Sequence, residues 1–264
     1  MTLCISLAAR PSNIGTRFHN YLYDELGLNF VYKAFTTTDL PAAIGGVRAL
    51  GIRGCAVSMP FKEDVIALVD RMDPSATAID SVNTIVNDDG VLTAFNTDYL
   101  AVARLLTEHQ VPSSHSVLVR GSGGMAKAVV AALRDSGFTD VVIAARNESA
   151  GRALAGLYGF GWRAEPAGAT ADLLINVTPV GMQGPDASGL SFPPEAVDAA
   201  RVVFDVVALP SETPLILAAR AAGKPVITGA EVVALQAEEQ FVLYTGQRPT
   251  PEQVRAAGEF SRQK

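Results

Sequence analysis

A glycine turn in the middle of the chain constrains the fold more than any other feature. Gly121-Ser122-Gly123-Gly124-Met125-Ala126 follows the apolar run Ser116-Val117-Leu118-Val119 and opens an Ala/Val-rich stretch ending near Gly137. Strand, glycine turn and helix N-terminus together make a phosphate cradle. Glycine lets the backbone come close to a pyrophosphate, and the free N–H groups and dipole of the helix favour its charge. A plain tight turn satisfies G-x-G-G as well. The next strand-like run, 140–145, begins about 20 residues after the first, the spacing of a βαβ unit, and favours the cradle. More than a hundred residues precede the turn, so a second domain, expected to bind substrate, has been built before it.

At 264 residues the chain suits one large or two modest domains and buries a sizeable core without staples. Its net charge of -6 argues against nucleic acid and against an anionic membrane surface. Cys4 and Cys55 lie far apart with no metal or disulfide spacing, so the expectation is reduced thiols in a cytoplasmic protein. No two of His19, His109 and His115 have ligand spacing, and no metal site is expected. No leader-like start and no run approaching a membrane span is seen.

Apolar strand-like runs alternate with helix-like patterns, the α/β signature. In the first part, 3–8, 29–35 and 54–58 read as strands. Helices are expected at 17–26, with Thr16 as N-cap and Gly27 as stop, at 39–50, and from Met59-Pro60-Phe61 onward. Segments 83–86 and 91–94 form a hairpin around Asp89-Gly90, and 99–108 reads as a helix with Asp98 at its N-cap. From Val117 the pattern becomes regular βα units. Strands are expected at 117–119, 140–145, 172–176, 202–207 and 225–228, and helices at 125–136, 149–157 and 213–222. That is a Rossmann-type, doubly wound parallel sheet. A long final helix over 231–246 packs back on the first domain. The expected division is an α/β substrate domain of 1–98 completed by C-terminal helices in 232–264, and a central dinucleotide-binding domain of 99–231.

Three polar segments stand at strand ends or loops of the first domain: Ser58-Met59-Pro60-Phe61-Lys62, Asp80-Ser81-Val82-Asn83-Thr84 and Asn96-Thr97-Asp98. Each has a bland alternative. Lys62 is readable as an exposed lysine, Asp98 as a helix cap with Thr97, Asn83 as a turn residue and His19 as packing.

The order of the segments resembles the shikimate/quinate dehydrogenase family. Its pattern runs N-V-T-x-P-x-K, V-N-T, N-T-D, G-x-G-G-x-A, N-x-T-P-x-G-M, D-x-x-Y-x-P-x-x-T-P-L and a final G-x-x-x-x-x-x-Q-A. The chain answers with Ala56-Val57-Ser58-Met59-Pro60-Phe61-Lys62, Val82-Asn83-Thr84, Asn96-Thr97-Asp98 and the glycine turn. It continues with Asn176-Val177-Thr178-Pro179-Val180-Gly181-Met182, with Asp205 to Pro210 leading to Thr213-Pro214-Leu215, and with Gly229 followed by Gln236-Ala237. The matches run through nearly the whole chain in order. The resemblance implies a discontinuous substrate domain and a central NADP domain with a cleft between them. It also departs from the family in the substrate pocket. The two serines of the carboxylate-binding S-x-S-P-x-x-H-N loop are Asn13 and Gly15, with Ser12 and Thr16 adjacent as partial substitutes. The Asn and Thr of N-V-T are Ala56 and Ser58, and the Tyr of D-x-x-Y is Ala208.

The resemblance assigns Lys62 and Asp98 as the catalytic pair, and Asn83, Gln236, Ser58, Asn13, Ser12 and Thr16 to the substrate. A free lysine is a poor base at neutral pH. Desolvation improves it, a neighbouring carboxylate does the reverse, and as an ammonium it protonates a developing alkoxide. The cofactor set is Gly121, Ser122, Gly123, Gly124, Met125, Ala126, Arg146, Asn147, Thr178 and Gly229. Arg146 at the end of the second Rossmann strand matches the family's N-R-T and favours NADP over NAD. Glu148 pulls the other way, and no second basic residue stands nearer than Arg152.

The implied activity is reversible, NADP-dependent hydride transfer at the ring hydroxyl of shikimate, or the ketone of 3-dehydroshikimate, or a close carboxylated cyclohexene, with weakened shikimate binding, in a monomer or homodimer. Quinate or aminoshikimate dehydrogenase is the alternative within the class. A non-catalytic NADP or metabolite sensor is the alternative outside it. A folate-linked dehydrogenase fits the βα pattern but not the Lys62 and Asp98 segments.

Overall fold

The computed structural model describes residues 1–9 and 13–263. The chain forms two compact units, Met1–Leu100 with Ala234–Lys264, and Ala101–Val233.

The first unit holds a six-stranded mixed sheet in the order β2-β1-β3-β5-β6-β4. Its strands are β1 (Thr2–Leu7), β2 (Phe30–Phe35), β3 (Gly54–Val57), β4 (Arg71–Met72), β5 (Thr84–Asp88) and β6 (Val91–Phe95). Its helices are α1 (Asn13–Glu25), α2 (Leu40–Ala49) and α3 (Pro74–Thr77), with α4 (Thr97–Glu108) starting at its edge. Period-2 alternation buries both faces of the sheet. Ile5, Leu7, Cys55, Val57 and Ile85 join the α2 residues Ile44 and Val47 in one core. Cys4 and Val86 face the other way, against Phe18 and Leu22 of α1. The hairpin of β5 and β6 turns at Asp89 (φ 51°) and Gly90 (φ 91°), the paired positive φ values that a two-residue type I′ connection needs.

The second unit is an all-parallel sheet in the order β12-β11-β10-β7-β8-β9. Its strands are β7 (Val117–Arg120), β8 (Val141–Ala144), β9 (Gly161–Arg163), β10 (Leu173–Asn176), β11 (Val202–Asp205) and β12 (Val226–Thr228). Between them run α5 (Gly124–Asp135), α6 (Glu148–Tyr158), α7 (Pro194–Ala199) and α8 (Pro214–Ala221). This is the doubly wound order 3-2-1-4-5-6, with β7 and β10 adjacent at the switch point, where such folds bind nucleotides. The chain then re-enters the first unit through α9 (Gly229–Thr245) and α10 (Pro251–Arg262). Among the described residues no helix is long and apolar enough to cross a membrane.

Four expectations need correction. Helix α1 begins at Asn13, so Thr16 sits inside its first turn instead of capping it, with its hydroxyl buried and unpartnered. The amphipathic stripe marks where packing begins, not where backbone winding does. Met59-Pro60-Phe61 opens no helix. Ser58 to Phe61 close a turn around a cis Met59–Pro60 peptide, Phe61 N–H donating to the Ser58 carbonyl at 3.0 Å, and a 3-10 helix starts only at Asp64. Asp98 is not the cap of α4. Asn96 accepts from the Tyr99 N–H at 3.1 Å, which leaves the Asp98 carboxylate free. The short elements β4, α3, β9 and α7 lie where no element was expected; α10, one of the C-terminal helices expected in 232–264, starts at a full capping box between Thr250 and Gln253.

The re-entrant helix is seated by a glycine. A Cβ on Gly54 in β3 would lie 2.3 Å from the ring of Tyr244 in α9, and that ring is fully buried. We expect Gly54→Ala to cost about 1–3 kcal/mol in denaturant unfolding, the overpacking range. Gly45→Ala, on the exposed side of α2 with nothing within 4 Å of the new methyl, should gain about 0.4–1 kcal/mol. Equal effects would contradict the packing account.

His19 is packing rather than chemistry. It is buried and stacks on Tyr32 at 4.5 Å with rings 10° apart. The next residue, Asn20, clamps the Tyr32 backbone, accepting from its N–H at 2.8 Å and donating to its carbonyl at 3.0 Å. Burial pulls the His19 pKa down to about 3, against a raising hydrogen bond from Gln240. The folded state therefore holds His19 neutral while the unfolded chain protonates it near 6.5. Stability is complete above that value and falls with pH below it. At pH 5.5 the loss from this group is about 1.4 kcal/mol relative to pH 7.5. Unfolding titrations at the two pH values check it, and a His19→Gln variant should lose this part of the slope.

Candidate active site

Strand β3 ends at Val57, and the turn from Ser58 returns the chain so that the Lys62 carbonyl accepts from the Val82 N–H at 2.8 Å. That bond places Lys62 beside the start of β5. Asp98 stands in the first turn of α4, where the helix dipole favours a carboxylate. The two side chains meet, Lys62 Nζ donating to Asp98 Oδ2 at 2.8 Å, with 30% and 19% of their surfaces exposed. The pair is thus partly shielded yet reachable.

Asn83 ties this arrangement together. It is 3% exposed, and its Oδ1 accepts from the Thr97 N–H at 2.8 Å, from the Thr84 hydroxyl at 2.8 Å and from the Thr97 hydroxyl at 3.2 Å. The backbone donor fixes which end of the amide is oxygen. The nitrogen is buried and has no hydrogen-bond partner among the described residues. A buried amide donor with no partner is costly, and this one belongs to the wall of a cavity of about 360 Å³ that Lys62, Asp98, Ser58 and Gln236 also line. The volume suits a small molecule. Gln236 on α9 places Oε1 3.4 Å from the Thr97 hydroxyl.

Sequence reasoning missed several lining residues. Gln240, which donates to the Thr84 hydroxyl at 3.0 Å, lies four residues after Gln236, hence on the same helix face, a signal that was available. Tyr32, Ser6 and Ile14 also line the cavity, and nothing in the local sequence marks them. Of the residues expected around the carboxylate, Gly15 lines the cavity but brings no side chain. Asn13 is exposed and outside the lining, and Thr16 lines a separate groove with Arg17 and Phe260. Ser12 lies outside the described residues.

In the second unit the glycine turn follows β7. Gly121 has φ +124°, and a Cβ there would meet Val177 at 2.9 Å, so both conformation and space demand glycine. Gly123 and Gly124 differ: a Cβ on either meets no atom within 4 Å. Gly123 caps α5 without any side-chain hydrogen bond, so the first N–H groups of the helix are available to an anion. Gly121, Ser122, Gly123, Arg146, Asn147 and Thr178 line one pocket of about 280 Å³. A dinucleotide's phosphates fit this open, donor-rich turn. Met125 and Ala126 belong to α5 itself, Ala126 being fully buried. Gly229 is outside the pocket lining. A Cβ on it would lie 2.4 Å from the Val206 carbonyl oxygen, so its part is to let α9 start against the loop after β11.

That loop is held by Asp205, which accepts from Asn176 Nδ2 at 2.9 Å, the Val207 N–H at 3.1 Å and the Thr213 hydroxyl at 2.6 Å. Burial raises its pKa while these three donors lower it. Asn147 caps α6, accepting from the Ala150 N–H at 3.1 Å. Glu148 pairs with Arg152 at 2.8 Å in an exposed i,i+4 ion pair, of the kind that contributes little.

Comparison with known proteins identifies the family. Residues 13–85 match the shikimate dehydrogenase substrate binding domain. A shikimate dehydrogenase-like protein of Haemophilus influenzae is 57% identical over 99% of this chain and 97% of its own. A solved shikimate 5-dehydrogenase-like structure superposes with a TM-score of 0.98 at 56% identity, over 99% of this chain and 98% of that one. The Thermus thermophilus shikimate 5-dehydrogenase, solved with NADP(H) and shikimate, gives a TM-score of 0.87 at 30% identity, over 99% of this chain and 100% of that one. With the lysine–aspartate pair and the glycine turn each in place, the chain belongs to the shikimate dehydrogenase family of oxidoreductases.

Proposed function

We propose that the chain catalyses the reversible NADP-linked oxidation of a ring hydroxyl of shikimate to the ketone of 3-dehydroshikimate. The observation that carries this reading is the Lys62–Asp98 pair facing the same cavity as the unpartnered Asn83 amide. When bound, NADP supplies the acceptor for the hydride that leaves the carbinol carbon. The chain's residues handle the proton. As an amine, Lys62 Nζ accepts the hydroxyl proton; in the reverse direction the ammonium returns it to the oxygen. Asp98 holds Nζ in place and balances its charge in a partly desolvated site. Asn83 Nδ2 and Gln236 hydrogen-bond the neighbouring ring hydroxyls, and Ser58 adds a further contact.

Shikimate itself binds weakly in this reading. Gly15 carries no hydroxyl and Asn13 is exposed and outside the cavity lining, so the carboxylate lacks the two serines the family offers. Initial rates of NADP reduction at 340 nm test the proposal. Shikimate should turn over with a high KM, and Lys62→Ala should lower kcat by about 10²–10⁴-fold, the usual share of a general acid–base group, with NADP affinity unchanged. Turnover that survives this substitution would refute the assignment.

The weak-binding account has its own test. A Cβ at position 15 meets Tyr32 only at 3.8 Å, so a serine fits. Gly15→Ser should lower the KM for shikimate by roughly 2–10-fold, one neutral hydrogen bond, with kcat little changed. An unchanged KM would place the weakness elsewhere.

A further inference from the structure

Arg120 is the last residue of β7, immediately before the glycine turn, while Val117, Leu118 and Val119 before it are fully buried. A guanidinium at the end of a central strand is out of place as packing. Its Nη1 donates to the carbonyls of Leu190 and Ser191, which fixes the side chain but leaves most of its five N–H donors unused. In the parallel register Arg120 pairs with Ala144 of β8, so Arg146 rises from the neighbouring strand two residues further on. Both arginines line the pocket that holds Ser122, Gly123 and Asn147.

Two guanidiniums in one pocket repel each other unless an anion sits with them. Burial pulls the Arg120 pKa down, Glu165 opposes this and Arg146 adds to it. Glu165 and Asp186 also line the pocket, yet neither forms an ion pair with either arginine among the described residues. Arg152, the other basic residue near the end of β8, is already committed. It pairs with Glu148 at 2.8 Å and lies 4.1 Å over the Trp162 ring.

We propose that Arg120 and Arg146 form a two-arginine clamp for the phosphate monoester on the adenosine ribose of NADP, with Arg120 as the second cation that selects NADP over NAD. The inference rests on the dinucleotide reading of the second unit. The pyrophosphate is common to both cofactors and falls to the N–H groups of the glycine turn. The 2′-phosphate falls at the end of the second strand, where Arg146 stands and Arg120 reaches.

Calorimetric titration of the full chain with NADP, NAD and 2′,5′-ADP tests it without recourse to turnover. Arg120→Gln, which removes the charge but keeps a polar side chain of similar stem, should weaken NADP and 2′,5′-ADP by about 10–100-fold, a charged hydrogen-bonding contact, and NAD by no more than about twofold. Retained NAD binding shows that the unit is folded. Arg152→Gln should leave the NADP to NAD ratio within about threefold. Equal losses for NADP and NAD would assign Arg120 to the pyrophosphate or to the fold and overturn the proposal, as would unchanged NADP binding. A wild-type chain that binds neither nucleotide would refute the cofactor reading itself, and the clamp with it.

Discussion

The chemistry of the first unit depends on one buried carboxamide. Asn83 Oδ1 accepts from the first N–H of α4 and from the hydroxyls of Thr84 and Thr97. The start of β5 is thereby joined to the start of α4. Because Asn96 supplies the cap, Asp98 is released from backbone duty and turns to Lys62. Because Lys62 is itself tied to Val82 through its carbonyl, the ammonium and the carboxylate meet without either being fully buried. The same carboxamide leaves its N–H₂ group without a partner. Because this group lies on the cavity wall, a ligand or a water in the cavity can satisfy it. On the proposed reading, one residue thus fixes the Lys62–Asp98 pair and presents a donor to the substrate.

The second unit works by subtraction. Gly123 and Gly124 have no neighbour that a side chain would strike, so their missing side chains leave room for a ligand rather than for the protein. The uncapped N-terminus of α5 adds unpaired donors. Glu148 is paired with Arg152, while Arg120 and Arg146 share the pocket with Glu165 and Asp186 without an ion pair to either among the described residues.

Much of this was legible in the sequence. The order of the motifs identifies the family, and the strand-turn-helix pattern around Gly121 identifies the parallel sheet, because both rest on local residue chemistry that survives any packing. The places that were not legible are those where distant residues decide. Thr16 reads as a cap because its neighbours to the C-terminal side are amphipathic, yet the helix continues through it to Asn13. Asp98 reads as a cap because aspartate often is one, and only the Asn96 hydrogen bond shows otherwise. Tyr32 falls within the strand read over 29–35, with nothing local to single it out. Its place on the cavity wall comes from the His19 stack and the Asn20 clamp, which no local pattern encodes. The α10 helix is different: Thr250-Pro251-Glu252-Gln253 is a capping box in plain sight, and the signal was there to be used.

The central claim is that Lys62 and Asp98 act as one proton-handling unit rather than as two separate contacts. A double-mutant cycle on kcat/KM with shikimate tests it most directly, comparing Lys62→Ala, Asp98→Ala and the pair together. Groups that act as a unit are not additive, so the double variant should be no slower than the slower single variant within about threefold. Losses that multiply would show two independent contributions and contradict the account.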